Sequence, residues 1–164
     1  MNILFVCSGN TCRSPMAEGY LNSKNISGLH ALSCGFSGSG ESVSKNAVAV
    51  MKEIGVDISG HKSRFISGDL LCADKIFCMG EAHKNALIAA GVPSGMISVL
   101  GGGISDPYGQ SAEVYRKCRD EITAATDSAL YGGEMLPVKI LPADEKDAES
   151  IAALEKQTFS SPWS

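Results

Sequence analysis

The stretch FVCSGNTCRSP, residues 5–15, places a cysteine and an arginine six positions apart with small and polar residues between them. Gly9 and Asn10 are residue types that tolerate a positive φ, which a tight loop of inward-pointing backbone N–H groups usually requires. We expect Ser14 to cap the helix that follows, with proline at its first position. Such a loop binds an oxyanion, and the same field stabilises a thiolate at Cys7 and makes it a nucleophile.

Arg13 and Asp106 supply the other groups that a reaction at phosphorus would need. The planar guanidinium of Arg13 can hold two equatorial phosphoryl oxygens while negative charge spreads over them in the transition state. Expulsion of an alkoxide, phenoxide or guanidine needs a proton donor, and Asp106 in SDPYGQ is the candidate, although Asp-Pro-Tyr-Gly alone is a common turn sequence. Together they predict in-line transfer to Cys7, followed by hydrolysis in which Asp106 activates the water.

Two other interpretations of the cysteine-rich loop are weaker. A Cys-x4-Cys pair could form half of a zinc site, but Cys72 and Cys78 make a poor second pair. A nucleotide-binding loop would need a dinucleotide glycine pattern or a Gly-Lys-Ser/Thr ending, and the stretch has neither. We therefore expect neither a metal nor a cofactor.

Short apolar runs alternate with helical patterns along the chain. The strand-like runs are NILFVC, LHALSC, ADKIFCM and MISVL. Helices are predicted over residues 14–23, 44–54, 81–90 and 111–130, with glycine-rich loops at residues 35–40 and 101–103. Short strands without polar alternation, separated by helices, predict an open α/β sandwich with a parallel sheet covered on both faces.

Composition sets the broad class of the protein. A chain of 164 residues with 44% hydrophobic and 20% charged positions suits one well-packed domain. The net charge of −4, without a basic block, gives no reason to expect nucleic acid or an acidic membrane as partner. The absence of a leader pattern or a long apolar run predicts a cytoplasmic protein, and six scattered cysteines do not suggest a disulfide framework. Outside the loop the cysteines are expected to be small buried hydrophobes.

The loop resembles the Cys-x5-Arg-Ser-Pro signature of the low-molecular-weight protein tyrosine phosphatases. SDPYGQSAEVY resembles the family's Asp-Pro general-acid loop, and ADKIFCMGEAH resembles its third strand and the helix that follows. The resemblance covers about residues 1–131. It implies a three-layer α/β/α sandwich with a four-stranded parallel sheet, and hydrolysis of phosphorylated proteins or peptides through a cysteinyl-phosphate.

The resemblance also implies roles for individual residues. Cys7, Arg13 and Asp106 would be catalytic, and Tyr108 would form a wall of the substrate cleft. The loop residues that would bind the phosphoryl group, inorganic phosphate or a similar oxyanion are Ser8, Gly9, Asn10, Thr11, Cys12 and Ser14. Ser33 and His61 match the polar network that joins Asn10 in holding the loop. Cys12 is either a packing residue or a thiol that traps oxidised Cys7 as a disulfide.

Thr11 bears on which phosphoamino acid is the substrate. The tyrosine-specific members usually carry a bulkier aliphatic residue there, whereas the protein arginine phosphatases of this fold carry threonine in CxGNTCRSPMAE, as this chain does. A smaller residue with a hydroxyl suits a polar guanidinium, and Asp106 would attract that cation. DPYGQSAEVYRKCRDEI also looks like the arginine phosphatases. These features favour phosphoarginine, with phosphotyrosine as the alternative.

Two further classes are weighed against hydrolysis. Thioredoxin-coupled arsenate reductases share the fold and the loop but need two more thiols in a segment after the third strand, and no cysteine occurs between residues 79 and 117. A phosphate-binding module without catalysis would be expected to lose Cys7 or Asp106, and both are present.

A composition change after Tyr131 suggests a linker over residues 132–136 and a separate tail over residues 137–164. The segment PADEKDAESIAALEKQTFSSPWS resembles the opening strand and first helix of the GNAT acyltransferases, particularly the ribosomal-protein alanine acetyltransferases. The glycine-rich turn with which that family binds acyl-CoA does not occur in the tail. We therefore predict a truncated or vestigial fragment, or an ordinary C-terminal extension, that carries no acetyltransferase chemistry.

Overall fold

A four-stranded parallel sheet lies at the centre of the protein. The computed structural model describes residues 1–68, 70–132 and 135. The strands are β1 (Asn2–Cys7), β2 (His30–Gly35), β3 (Lys75–Cys78) and β4 (Ile97–Val99), in the spatial order β2-β1-β3-β4. Every pair is parallel, and Cys7 of β1 lies opposite Gly35 of β2. The predicted sheet is confirmed.

Four α-helices connect and cover these strands. They are α1 (Arg13–Ser23), α2 (Lys45–Lys52), α3 (Glu81–Ala89) and α4 (Ala112–Tyr131). Short 3₁₀ turns occur at Leu70–Cys72, Ser94–Met96 and Leu100–Gly102. Helix α1 begins one residue earlier than predicted, and the expectation that Ser14 caps it is wrong. Position 12 precedes the first helical residue, and the Ser14 hydroxyl contacts Cys7 instead.

Alternation along β1 divides the core between the two faces of the sheet. Ile3, Phe5 and Cys7 pack with the buried side chains of α1, α2 and α4, whereas Leu4 and Val6 pack with Leu87 of α3. Helices thus lie on both faces of the sheet, which makes the fold a three-layer α/β/α sandwich. The alternation also fixes the face on which the Cys7 side chain lies, because successive strand residues point to opposite sides.

The remaining cysteines and the C-terminal region complete the description. All six cysteines are free thiols, and Cys34, Cys78 and Cys118 are buried as expected. Cys72 is exposed, so its assignment as a buried hydrophobe is wrong; it lies on a surface 3₁₀ turn. Met135, within the predicted linker, is fully buried against the core. The GNAT-like segment at residues 137–164 lies outside the described residues.

Candidate active site

The loop between β1 and α1 is held against the end of β2. The backbone N–H groups of Phe36 and Ser37 donate to the carbonyl oxygens of Cys7 and Ser8, at 3.3 and 3.0 Å. Residues 8–12 therefore turn above the carboxyl edge of the sheet, where parallel α/β folds place their ligand sites. The N-terminus of α1 follows at once, so its unpaired N–H groups and positive dipole end face the same point.

The Cys7 thiol lies at the floor of this loop with two polar contacts. Its Sγ is 2.9 Å from the Ser14 hydroxyl oxygen, and the backbone N–H of Asn10 donates to it across 3.2 Å. Both groups can donate a hydrogen bond to the sulfur. The thiol is buried, so these contacts act with little screening from water.

Asn10 fixes the shape of the loop through its backbone and its side chain. Its φ of 54° is in the left-handed region, which asparagine tolerates better than most residues. The side-chain Nδ2 donates to the hydroxyls of Ser14 and Ser33, at 2.9 and 2.7 Å. The side-chain Oδ1 accepts from the backbone N–H of Arg64 at 2.8 Å and from His61 Nε2 at 3.0 Å. Because an amide oxygen cannot donate, His61 carries its proton on Nε2.

A carboxylate lies on the far side of this network. Glu18 accepts a hydrogen bond from the Ser33 hydroxyl at 2.5 Å. Arg64 Nη2 donates to both carboxylate oxygens of Glu18, at 2.6 Å to Oε2 and at 2.8 Å to Oε1. His61 Nδ1 is 3.5 Å from the same carboxylate. Burial lowers the pKa of His61; Glu18 opposes that shift and Arg64 reinforces it. We therefore treat His61 as neutral, and its contact with Glu18 is not an ion pair.

Arg13 and Asp106, which are 93 residues apart in the sequence, meet at the rim of the cleft that holds the thiol. Arg13 Nη2 pairs with Asp106 Oδ2, while Arg13 Nη1 donates to the carbonyl oxygen of Ile104 at 3.3 Å. The Arg13 side chain is 8% exposed and that of Asp106 is 48% exposed. The second oxygen of Asp106 accepts from the backbone N–H of Tyr108 at 3.2 Å, in an Asx turn. Asp106 is therefore oriented at the solvent boundary of the cleft.

An open cleft of about 580 Å³ lies over the loop. The predicted site residues that line it are Cys7, Ser8, Gly9, Thr11, Cys12, Arg13, Asp106 and Tyr108. Tyr108 is 73% exposed at the mouth, which suits a wall residue. Asn10, Ser14 and the network residues Ser33 and His61 lie beneath the cleft rather than in its wall.

The opposite wall contains residues that the sequence analysis did not identify. They are Ser37, Glu41, Ser42 and Ser44, and all of them follow β2. The carboxyl-edge rule for parallel sheets could have indicated them, because the segment after β2 must start beside the segment after β1. Glu18 and Arg64 were also missed. No local motif marks them, since each acts through partners far away in the chain.

Cys12 makes its closest polar contact away from Cys7. Its Sγ is 3.2 Å from the Tyr115 hydroxyl, to which the Ser44 hydroxyl donates at 3.0 Å. Burial raises the pKa of the Cys12 thiol, and the Tyr115 hydrogen bond only partly opposes this. Burial also raises the pKa of Tyr115, to about 12. Cys12 is thus held as a neutral thiol, and its predicted pairing with oxidised Cys7 stays a prediction.

Metal-binding clusters and membrane-spanning helices do not occur in the described ranges 1–68, 70–132 and 135. No group of three or more histidine, cysteine, aspartate or glutamate side chains is arranged to hold a metal ion there. None of the helices in that part of the chain is long and apolar enough to span a membrane.

The chain matches a protein-family model and curated relatives with two different activities. Residues 2–136 match the model of the family described as low molecular weight phosphotyrosine protein phosphatase. A protein-arginine-phosphatase of Geobacillus stearothermophilus is 36% identical over 135 residues, which cover 76% of this chain and 90% of that protein. Arsenate reductase 1 of Staphylococcus epidermidis is 36% identical over 130 residues, covering 77% and 92%.

The solved structures agree with the fold. The low molecular weight protein tyrosine phosphatase of T. tengcongensis superposes with a TM-score of 0.76 at 36% identity, covering 80% of this chain and 99% of that one. The family match spans both the loop and the Asp106 segment that meet in the cleft. The chain belongs to the low molecular weight phosphotyrosine protein phosphatase family.

Proposed function

We propose that this protein hydrolyses phosphorylated amino-acid side chains in proteins through a cysteinyl-phosphate, and that it prefers phosphoarginine. One observation carries the proposal. The Cys7 thiol lies between the Ser14 hydroxyl and the Asn10 N–H on the floor of a cleft, and Arg13 and Asp106 lie at its rim. This arrangement contains a nucleophile, donors for an anion and an acid in the order that phosphoryl transfer needs.

The first half of the reaction is an in-line displacement. The Cys7 thiolate attacks phosphorus, so that an S–P bond forms while the P–N or P–O bond to the substrate side chain breaks. Arg13 and the loop N–H groups hold the equatorial oxygens. The phosphoryl oxygens take the place of Asp106 on Arg13. Asp106, then protonated, gives its proton to the departing nitrogen or oxygen, which leaves as a guanidinium ion or a phenol.

The second half returns the enzyme to its starting state. Asp106, now a carboxylate, takes a proton from water as the water oxygen attacks phosphorus. The S–P bond breaks with its electron pair on sulfur, and inorganic phosphate is released. The Ser14 hydroxyl, 2.9 Å from Cys7 Sγ, donates to the departing thiolate. The free thiolate is then ready for another substrate.

The preference for phosphoarginine rests on the cleft wall and on a relative. Thr11 lines the cleft, where it presents a small side chain with a hydroxyl instead of an apolar branch. Asp106 is half-exposed at the rim and becomes a carboxylate as it gives its proton to the departing guanidinium, and Glu41 adds a second acidic residue to the same cleft. Both attract a guanidinium more than a phenyl ring. The similarity to a protein-arginine-phosphatase supports the same assignment.

Phosphotyrosine is the alternative substrate, and Tyr108 is the observation in its favour. Its ring is exposed at the mouth of the cleft and is available to pack on a phenyl ring. The likeness to a tyrosine phosphatase structure supports this alternative as well.

Arsenate reduction is less well supported, despite the similarity to an arsenate reductase. A thiol relay needs further cysteines that can approach Cys7. Cys78 is fully buried in β3, and burial raises its pKa to about 12. Cys72 is exposed but lies on the 3₁₀ turn before β3. We propose a cytoplasmic location, because the scattered spacing of the six cysteines does not suggest a disulfide framework.

The test compares kcat/KM on phosphoarginine and phosphotyrosine peptides of one sequence. Wild type and Thr11→Ile are measured with Cys7→Ser as the blank, and Thr123→Ile, on α4 and outside the cleft lining, is the matched control. We expect a phosphoarginine preference that collapses only in Thr11→Ile. A phosphotyrosine preference that ignores position 11 would refute the arginine assignment. Arsenate turnover with a thioredoxin system, without either phosphatase activity, would refute hydrolysis altogether.

A further inference from the structure

The phosphate loop has a contact with the opposite face of the sheet that the proposed mechanism does not use. His83 lies in the first turn of α3, and its Nε2 is 2.9 Å from the hydroxyl oxygen of Ser8. Ser8 follows Cys7 directly and lines the cleft. The bonds that hold Asn10 come instead from α1, β2 and the segment around residue 61. Ser8 is therefore oriented independently of the Asn10 network.

The His83 ring is fixed before any ligand arrives. It stacks on Phe36, with ring centroids 6.0 Å apart and 19° between the planes. Its Nδ1 is buried and makes no hydrogen bond within the described part of the chain. The ring thus has a single polar side-chain contact there, the Ser8 hydroxyl. A ring held in this way defines where the Ser8 oxygen lies.

The unpartnered Nδ1 determines the direction of this hydrogen bond. A neutral imidazole carries one N–H, and the nitrogen that makes a hydrogen bond sets which tautomer is present. A buried N–H without an acceptor is costlier and rarer than a buried lone pair. The proton is therefore on Nε2, which donates to Ser8 Oγ. The hydroxyl hydrogen of Ser8 is then not used by His83 and can point into the cleft.

We propose that His83 is a positioning residue for phosphate binding, which directs the Ser8 hydroxyl hydrogen toward an oxygen of a phosphoryl group in the loop. This inference rests on the proposed function, because it assumes that the cleft binds a phosphoryl group. It adds to the site a side chain that does not touch the substrate itself.

The charges around His83 are consistent with a neutral ring. Burial lowers its pKa, and the Arg13 guanidinium acts in the same direction. The Gly80 carbonyl, which is not in hydrogen-bond geometry with Nδ1, and the Asp106 carboxylate act in the opposite direction and are outweighed. A neutral donor on Nε2 is a role that glutamine can reproduce, since its terminal amide places an N–H at a similar distance from the backbone.

The experiment measures the inhibition constant Ki of inorganic phosphate, with p-nitrophenyl phosphate as substrate, in wild type, four single variants and one double variant. Ser8→Ala should raise Ki about 10-fold, the low end for a hydrogen bond to a charged group, because Ser8 is exposed to water. His83→Leu should raise Ki roughly 3- to 10-fold, since the hydroxyl is kept but no longer directed. His83→Gln should keep Ki within about twofold of wild type. His30→Leu, an exposed histidine at the start of β2, is the matched control.

Two readouts separate positioning from structural damage. If His83 acts through Ser8, His83→Leu should add nothing to Ki in the Ser8→Ala background. In Ser8→Ala and in His83→Leu, KM should rise in proportion to Ki. The value of kcat and the rate at which iodoacetamide alkylates Cys7 should change much less than KM, because neither substitution moves the nucleophile.

Three outcomes would overturn the proposal: a wild-type Ki in Ser8→Ala, a wild-type Ki in His83→Leu, or a further rise in Ki when His83→Leu is added to Ser8→Ala. If His83→Leu does not fold, Ser8→Ala and His83→Gln still decide the question, since a Ki raised in His83→Gln as far as in Ser8→Ala also refutes it. Failure of the proposed function is a separate result. In that case wild type itself would not hydrolyse p-nitrophenyl phosphate.

Discussion

Gly35, at the end of β2, sets how closely the phosphate loop can approach the sheet. A Cβ at this position would be 2.6 Å from the Ser8 carbonyl oxygen, 2.7 Å from the Asn10 nitrogen and 2.9 Å from the Gly9 carbonyl carbon. All three are backbone atoms of the loop, so no side-chain rotation can relieve the clash. Gly35→Ala must therefore displace either the loop or the end of β2.

The size of the displacement follows from ordinary contact distances. A carbon atom approaches a carbonyl oxygen to no less than about 3.3 Å, so the Ser8 carbonyl must shift by about 0.7 Å. The Asn10 N–H that donates to Cys7 lies in the same clash and must move with it. A misplacement of about 1 Å at a catalytic group costs on the order of 100-fold. We expect kcat/KM to fall roughly 30- to 100-fold.

The assay is kcat/KM on p-nitrophenyl phosphate, together with thermal unfolding of the same sample. Overpacking typically costs about 1–3 kcal/mol, which leaves a domain of ordinary stability folded at 25 °C. Gly60→Ala is the matched control, because a Cβ at Gly60 would meet no heavy atom within 4 Å. If Gly35→Ala is folded and retains kcat/KM within threefold of the control, the close approach does not position the loop and the reasoning fails.

Three further predictions concern the loop support and the thiols. Asn10→Ala should lower kcat at least about 100-fold, and it should lower kcat more than Asn10→Gly does. Both variants lose the side-chain hydrogen bonds, but glycine still adopts the positive φ of this position readily. Equal losses of kcat would contradict a role for the backbone conformation. The free energy of unfolding should fall between pH 7.5 and pH 5.5, because the lowered pKa of His61 applies only to the folded state and the unfolded state takes up the proton more readily. The fall should be smaller in His61→Gln. Urea titrations at both pH values test this, and an equal fall in the two proteins would contradict it. Iodoacetamide at pH 8 with phosphate present should label Cys72 before three of the buried thiols, Cys34, Cys78 and Cys118, because burial raises the pKa of each of these to about 12. Mass spectrometry of the labelled peptides tests this, and labelling of any of those three before Cys72 would contradict it.

The parts of the fold that could be predicted from the sequence are those that local patterns determine. Four apolar runs and four helical periodicities were enough for a parallel α/β sandwich, because apolar runs of that length require cover on both faces. The loop was predictable for a similar reason. The nucleophile, the glycine, the left-handed Asn10 and the arginine all lie within seven residues of one another.

The parts that could not be predicted depend on long-range partners. Glu18 lies in the middle of α1, where a glutamate is usually solvent-exposed, and only its contacts with Ser33 and Arg64 give it a place in the site. Tyr115 and His83 are similar cases, since each contacts the loop from more than 70 residues away in the chain. The capping role assigned to Ser14 was wrong for a related reason. The thiol of Cys7 offers its hydroxyl a tertiary partner, which replaces the local bond that a serine before a proline normally makes.

Asn10 shows why this loop needs a buried polar network as well as a helix dipole. A non-glycine residue in the left-handed region costs on the order of 1–3 kcal/mol, and the loop holds it there without any ligand. The side chain of Asn10 takes part in four hydrogen bonds, each of which contributes about 1 kcal/mol, enough to offset that cost. The N–H groups therefore point inward before the substrate arrives, and binding energy need not be used to order them. A loop that relied on the dipole alone would have to be ordered by the phosphoryl group at each turnover, which would weaken the binding of every substrate by the same amount.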